Sequence, residues 1–411
     1  MKTKLDATAM GVVLLAAGML GLVMGLRMTL GLFLPHLTID AGIGAEAFGL
    51  AMAVSSLLWG AVQPFAGTLA DRRGPLAVLL AGSLLYAAGL AGMAVVQNGW
   101  HLLLAGGVLV GLGMGAAGFA VLFSAATRAV APAQRQHALS LVSIGGGFGA
   151  FVLPPLVIVG IEHWGWQATL YAMAAALSLV VLAAFALARM ERRGAAPGAA
   201  SVAPVPPRPP LLVLREALRH RGFVLLSVGF LVCGFHINFL MTHLPGFVAS
   251  CGLAPEVGAL ALAVTGLANV VGTWGAGALA QRWRQKHLLS LLYLARAGLI
   301  ALLVVLPKTP EVIIGFSALF GLLFLSTVPL TSGLIGRIFG SADMGLLFGF
   351  AFFSHQIGGF FGAWLGGRVY DATGAYDAMW TASIALGLLA AVLHWPIRDA
   401  AVTVPAGART A

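Results

Sequence analysis

The sequence predicts an all-α membrane protein of twelve transmembrane helices, arranged as two pseudo-symmetric six-helix bundles. Three observations lead there. Of 411 residues, 60% are hydrophobic and only 9% charged, more apolar surface than a soluble domain can bury in a core, so the excess faces lipid. Twelve apolar runs of about twenty residues or more match a hydrocarbon core of about 30 Å. The two halves of the chain repeat each other at an offset of about 210 positions, as in membrane folds built from duplicated units.

In chain order the runs occupy about 9–36, 47–69, 76–97, 101–127, 136–160, 167–189, 222–248, 256–280, 287–306, 311–335, 343–367 and 377–397, and they are numbered helices 1 to 12. Helix 1 follows Met1-Lys2-Thr3-Lys4, which imitates a signal peptide, but its apolar run continues through Leu34 without a small-residue cleavage site. That is too long for a signal core of about 7 to 15 residues, so the run reads as an uncleaved first helix. Stretches such as Leu102–Leu112 in helix 4 and Ile300–Leu306 in helix 9 do not alternate in polarity, which excludes a β-barrel. Pro154-Pro155 should bend helix 5, since neither supplies a backbone donor. Gly111 and Gly115, Gly145 and Gly149, and Gly358, Gly362 and Gly366 recur every fourth residue, a spacing that lets helices approach closely. These glycines lie inside apolar spans, without the strand-turn-helix context and the Lys-Ser/Thr ending of a phosphate-binding loop. Cys233 lies within helix 7 and Cys251 just beyond it. About 18 residues of helix would hold them roughly 27 Å apart, too far for a disulfide.

The net charge of +10 does not point to nucleic acid, because the basic residues fall between apolar runs rather than on one face with stacking aromatics. It points to topology. With the N-terminus inside, the cytoplasmic loops hold Lys2, Lys4, Arg72, Arg73, Arg128, Arg135, Arg189, Arg192, Arg193, Arg208, Arg215, Arg219, Arg221, Arg282, Arg284, Lys286, Arg337, Arg398 and Arg409, and the outer loops hold Lys308 and Arg368. The expected setting is a bacterial inner membrane, with both termini cytoplasmic.

One long connection divides the chain into an N-terminal bundle (1–190), a cytoplasmic linker (191–221) and a C-terminal bundle (222–411). Pro197, Pro204, Pro206, Pro207, Pro209 and Pro210 make the first part of the linker a mobile segment. Its end sets Leu211, Leu214 and Leu218 against Arg215 and Arg219, an amphipathic turn or two suited to the inner membrane surface.

The repeat brings Gly67-Thr68-Leu69-Ala70-Asp71-Arg72 onto Gly277-Ala278-Leu279-Ala280-Gln281-Arg282, Arg128 close to Arg337, and Gly147-Phe148-Gly149-Ala150 onto Gly359-Phe360-Phe361-Gly362-Ala363. Gly67 through Gly74, between helices 2 and 3, fits Gly-x-x-x-Asp-Arg-x-Gly. In this the chain resembles the major facilitator superfamily, over essentially its whole length. Pro75-Leu76 follow where that family usually has more basic residues. Within it, Gly25-Leu26-Arg27-Met28-Thr29-Leu30-Gly31-Leu32-Phe33-Leu34-Pro35 and Ser354-His355-Gln356-Ile357-Gly358 are similar to bacterial monocarboxylate porters, although Thr273 stands where those porters usually carry an arginine in helix 8. The resemblance implies a cytoplasmic gate at Asp71, Arg72 and Arg128, with Asp71 reaching the start of helix 11 near Ser341.

An ionisable side chain deep in a bilayer costs about 2.5–3.5 kcal/mol on insertion scales, which makes it a functional candidate. Arg27, past the midpoint of helix 1, and Arg296, mid-way along helix 9, qualify; no Asp or Glu occupies a helix centre. A positive field without a fixed counter-ion suits an anionic substrate, and arginine offers a planar fork to a carboxylate. Otherwise these arginines bond backbone carbonyls, or, for Arg296, tie helices together. His355 and Gln356 lie mid-depth in helix 11, where His355 is either a ligand and proton carrier or a neutral histidine held by a carbonyl. His236 and Asn238 in helix 7 fall near the repeat position of Arg27 and either face the substrate or join helices as polar glue. Phe119 and Phe123 either shape an apolar wall or meet lipid and neighbouring helices.

The expectation is a monomeric secondary transporter that moves a small organic anion, a monocarboxylate by resemblance, through alternating access about a midplane site, with protons as the available coupling ion. No cofactor, metal or catalytic residue is expected. The alternative within transport is a drug or aromatic-compound exporter. A membrane-embedded enzyme would need paired acids or a His-rich metal set, and a sensor a soluble output domain; the sequence has neither.

Overall fold

The computed structural model describes residues 7–131, 134–194, 209–340 and 344–400, apart from the side chains of Asp71, Gln136, His137 and residues 191–194 and 345. It is all-α, and twelve helices are long and apolar enough to cross a membrane: Ala7–Ile39, Ala45–Ala70, Pro75–Ala94, Gly99–Arg128, Ala138–Trp164, Trp166–Met190, Arg221–Ser250, Pro255–Leu279, Gln285–Val305, Pro310–Phe339, Leu346–Thr373 and Asp377–His394. They keep the numbers 1 to 12.

Three of them are locally irregular. Helix 1 tightens to a 3₁₀ turn at Leu30–Phe33. Helix 4 carries a π segment at Leu103–Leu109 and breaks at Gly118, which is extended. Helix 10 stops at Leu323 and resumes at Thr327. Helix 5 stays helical through Pro154 and Pro155, from Arg135 to Trp164.

Small residues set the closest contacts, because lipid gives helices no hydrophobic reason to associate and only close packing does. In the first half, helices 1 and 5 pack along Gly21, Gly25, Gly145 and Gly149; a β-carbon on Gly21 would fall 2.8 Å from the Gly145 carbonyl oxygen. Their repeat partners, helices 7 and 11, pack in the same way, with Gly358 and Gly362 against the carbonyls of Leu231 and Phe235. Gly111 and Gly115 of helix 4 lie against Ser55 and Val62 of helix 2.

The start of helix 1 and the ends of the even-numbered helices share one face, here the terminal face; the ends of the odd-numbered helices lie on the opposite face. The two halves meet through helices 2 and 11, helices 5 and 8, and the end of helix 1 against helix 7. Toward the opposite face these contacts are close. Gly31 touches the Met241 carbonyl, Gly49 the Ala363 carbonyl and Gly367 the Ala45 carbonyl. Asp371, near the end of helix 11, accepts the backbone N–H of Ala45 at 3.0 Å and of Glu46 at 2.7 Å, while Glu46 accepts from Arg368 at 3.0 Å and from the Trp364 indole at 3.3 Å. Toward the terminal face large apolar side chains are exposed. Helix 2 buries Phe48, Ala51, Met52 and Ala53 but leaves Phe65 and Leu69 exposed, and Phe148 of helix 5 and Trp274 of helix 8 are bare as well.

On the terminal face, Asp399 binds Arg284 at 2.5 Å and lies 3.8 Å from Arg337, joining the segments that flank helices 8, 10 and 12. The Arg284 hydrogen bond holds the Asp399 carboxyl below the usual carboxylate range. The end of the linker is a helix, Pro210–Arg219, which buries Val213 and Ala217 and exposes Leu211, Leu212 and Leu218. The proline-rich segment before it lies outside the described residues.

Candidate functional site

Four helices bring polar side chains together at mid-depth. Arg27 is carried by helix 1 one turn before the 3₁₀ segment. Its Nη2 donates to Ser56 Oγ of helix 2 at 2.7 Å and to Asn238 Oδ1 of helix 7 at 2.5 Å. Ser56 Oγ also donates to Asn238 Oδ1, at 2.7 Å. The guanidinium carbon lies 5.3 Å from the centre of the Trp59 ring, so the cation rests on an aromatic face. All these partners are neutral. Among the described residues the Nε and Nη1 donors of Arg27 have no protein partner, and the residue is only half-buried. Individual N–H donors therefore remain open to an incoming acceptor.

Gln356 of helix 11 crosses between the halves. Its Nε2 donates to the Ser56 carbonyl at 2.7 Å, which fixes the orientation of the amide, because a carbonyl cannot accept from another carbonyl. Its Oε1 therefore faces His355 Nδ1, 2.8 Å away, so Nδ1 carries the histidine's proton. His355 Nε2 is left as a buried lone pair without a partner. The imidazole is held between Phe352, stacked at 5.5 Å, and Phe230 at 4.8 Å. Arg27, Ser56, Asn238, Gln356 and His355 thus form one connected set, with the proton-accepting atom at one end and the anion-accepting guanidinium at the other.

Two of the residues singled out in the sequence stand apart from this set. Arg296 is wholly buried and donates Nη2 to the carbonyls of Leu323 and Phe324, and Nη1 to Cys233 Sγ at 3.3 Å. Those carbonyls are the ones freed where helix 10 breaks, so Arg296 ties helix 9 to that break and to helix 7. His236 points to helix 12, where Nε2 meets the Ser383 carbonyl at 2.8 Å. Of the gate residues, Arg128 Nη1 donates to Ser124 Oγ at 2.7 Å and to the Ala70 carbonyl at 3.4 Å, joining the terminal ends of helices 4 and 2, and Arg72 is exposed. The side chain of Asp71, and Ser341, lie outside the described residues. No group of three or more potential ligands for a metal occurs among the described residues.

The sequence reading did not single out Ser56, Trp59 or Gln63 of helix 2. Trp59 Nε1 and Gln63 Nε2 are buried without partners, and Ser56 lies in the centre of the set. Their signal is spacing: residues three, four and seven apart share a helix face, and here they form a polar stripe inside an apolar span.

A model of the major facilitator superfamily matches residues 13–324. The chain is 27% identical to monocarboxylate transporter 11 of Mus musculus over 371 residues, covering 87% of this chain and 80% of that one. It is 25% identical to monocarboxylate transporter 13 of Bos taurus (77% and 72% covered) and 24% identical to the uncharacterized transporter YcxA of Bacillus subtilis strain 168 (62% and 63% covered).

Proposed function

This chain belongs to the major facilitator superfamily and is a secondary transporter rather than an enzyme, and from that premise we propose that it carries a small organic anion, a monocarboxylate, with a proton. The observation that carries the reading is the half-buried Arg27, whose Nε and Nη1 are unshared and whose partners are all neutral. A bound carboxylate supplies the missing charge. The similarity to monocarboxylate transporters supports the same class of cargo.

The transport cycle follows from the packing. Residues 1–190 and 222–411 act as two bundles joined by 191–221, and they rock about the Arg27 site. The close contacts at the opposite face belong, in this reading, to the state in which that face is shut and the terminal face gives access. With the excess of Lys and Arg on the terminal face, that face is cytoplasmic and the access faces inward, in a bacterial inner membrane. The protein acts as a monomer, since each chain holds both bundles. His355 takes up the coupling proton at Nε2 when the anion arrives.

The test is uptake of labelled monocarboxylates into proteoliposomes. Arg27→Lys keeps the charge but loses the planar guanidinium and should weaken uptake; Arg27→Ala should abolish it, since removing one partner of a buried charge pair costs about 2–5 kcal/mol, about thirtyfold or more. Near-normal uptake by the alanine variant would remove Arg27 from the site. It would favour the rival reading, a drug or aromatic-compound exporter, to which the aromatic rings around Arg27 lend some support.

A further inference from the structure

Four rings extend in a connected row from the Arg27 guanidinium on its terminal-face side. Trp59 lies under the guanidinium. Phe352 of helix 11 meets Trp59 edge-on at 5.7 Å, Phe119 of helix 4 lies 6.4 Å from Trp59, and Phe123 packs on Phe119 at 5.4 Å. They come from three helices and from both halves. Each is only half-buried, so part of every ring meets no protein atom.

This surface is too large for a two- or three-carbon acid. A carboxylate that binds the Arg27 donors leaves its organic body among the four rings, and a body of one or two methyl groups would cover little of them. Aromatic surface left bare of protein contact is unfavourable in water until something apolar covers it. Aromatic rings contact each other edge-to-face or offset, and the edge-on Trp59–Phe352 pair already sets such a pattern for a further ring to join.

We infer that the cargo is an aryl-bodied carboxylate, with the carboxylate on Arg27 and the ring, a short carbon link away, on Trp59, Phe119, Phe123 and Phe352. The inference rests on the anion reading of Arg27 and narrows it. Trp59 is then a specificity-determining residue: it orders the guanidinium on one side and receives the ring of the cargo beside it.

The experiment measures binding to the purified full-length protein, by thermal shift and by quenching of tryptophan fluorescence, with acetate, lactate, cyclohexylacetate, phenylacetate and the neutral phenylacetamide. About 100 Å² of covered ring should make phenylacetate bind roughly fiftyfold more tightly than acetate. Contact between rings should favour it over cyclohexylacetate by about threefold or more. In Trp59→Leu the preference for phenylacetate over acetate should fall at least tenfold, and Phe119→Leu should lower it in the same direction. Because the ligand series is read first on the wild-type protein, a variant that fails to fold does not decide the matter. Acetate or lactate binding as tightly as phenylacetate overturns the inference and leaves the anion reading intact; so does cyclohexylacetate binding as tightly as phenylacetate. Phenylacetamide binding as tightly as phenylacetate overturns the anion reading itself.

Discussion

Replacing Asp371 should tip the protein toward the state in which its opposite face is open. Asp371 belongs to helix 11, yet its carboxylate accepts the first N–H groups of helix 2, at Ala45 and Glu46. Those donors have no partner within their own helix, and Gly44, which precedes them, has no side chain with which to cap them. Asp371 is therefore an N-cap supplied across the interface between the halves. Losing such a cap costs about 1 kcal/mol, and losing the negative charge at the positive end of a helix dipole about another 0.3–1 kcal/mol, the lower part of that range applying because Asp371 is exposed. The sum, roughly 1.4 kcal/mol, is a factor of about ten. It falls on one state alone, since the bonds exist only while helices 2 and 11 touch. In a background with Cys233 and Cys251 replaced, a cysteine at the buried position Ala51 should react with an impermeant maleimide about tenfold faster in Asp371→Ala than without that change. Asp371→Asn, which keeps an acceptor and loses the charge, should give a smaller effect. Gly44→Ala should act in the same direction, because its new β-carbon would fall 2.7 Å from Asp371 Oδ2. An unchanged labelling rate in a folded Asp371→Ala protein would mean that this cap does not hold the face shut.

Three more outcomes are expected. Adding substrate to purified protein in weak buffer with a pH dye should show proton uptake that His355→Gln lacks, and lowering the pH should tighten substrate binding; equal uptake by the variant would remove His355 from coupling. Asp71→Asn should slow transport while leaving the affinity measured by thermal shift largely intact, and an equal loss of both in a folded variant would contradict a gate role. Arg296→Leu should lower the melting temperature, because it strands the freed carbonyls of helix 10 at a cost of about 1–3 kcal/mol each, partly relieved by repacking, while changing substrate affinity little; a selective loss of affinity at unchanged melting temperature would put Arg296 in the site instead.

Helix number and order could be read from the sequence because lipid imposes one rule on every span: enough apolar residues to cross, with all backbone groups paired inside the helix. The breaks could not. Helix 10 stops at Leu323 inside an apolar run; Gly321 and Pro329 flank the break, but what holds it, a side chain from helix 9, has no local signal. The same helical geometry explains the mixed result at helix 7. His236 and Asn238 both lie near the repeat position of Arg27, but two residues along a helix are about 200° apart around its axis. They face opposite ways, and only Asn238 reaches Arg27. Ser56, Trp59 and Gln63 went unmarked because a single polar residue in an apolar span carries little signal. It becomes informative only when several are seen to share one face.

The repeat also explains how one anion could drive the cycle. The two halves contribute unequally: the first supplies a full positive charge at Arg27, and the second supplies neutral amides at the matching depth, Asn238 and Gln356. Without cargo, Asn238 is held by the cation of the other half, a contact that draws the halves together at mid-depth even when nothing is bound. A ligand can shift the balance between conformations only by binding one better than the other. A carboxylate meets that condition by taking the guanidinium donors that Asn238 leaves free and by bringing the negative charge and the second acceptor oxygen that the neutral amide lacks. Asn238→Asp would place a permanent anion where the cargo's charge is needed. It should hold the Arg27 pair closed without substrate and leave binding strongly weakened, and substrate affinity equal to that of the wild type in this variant would show that Asn238 and the cargo do not share Arg27.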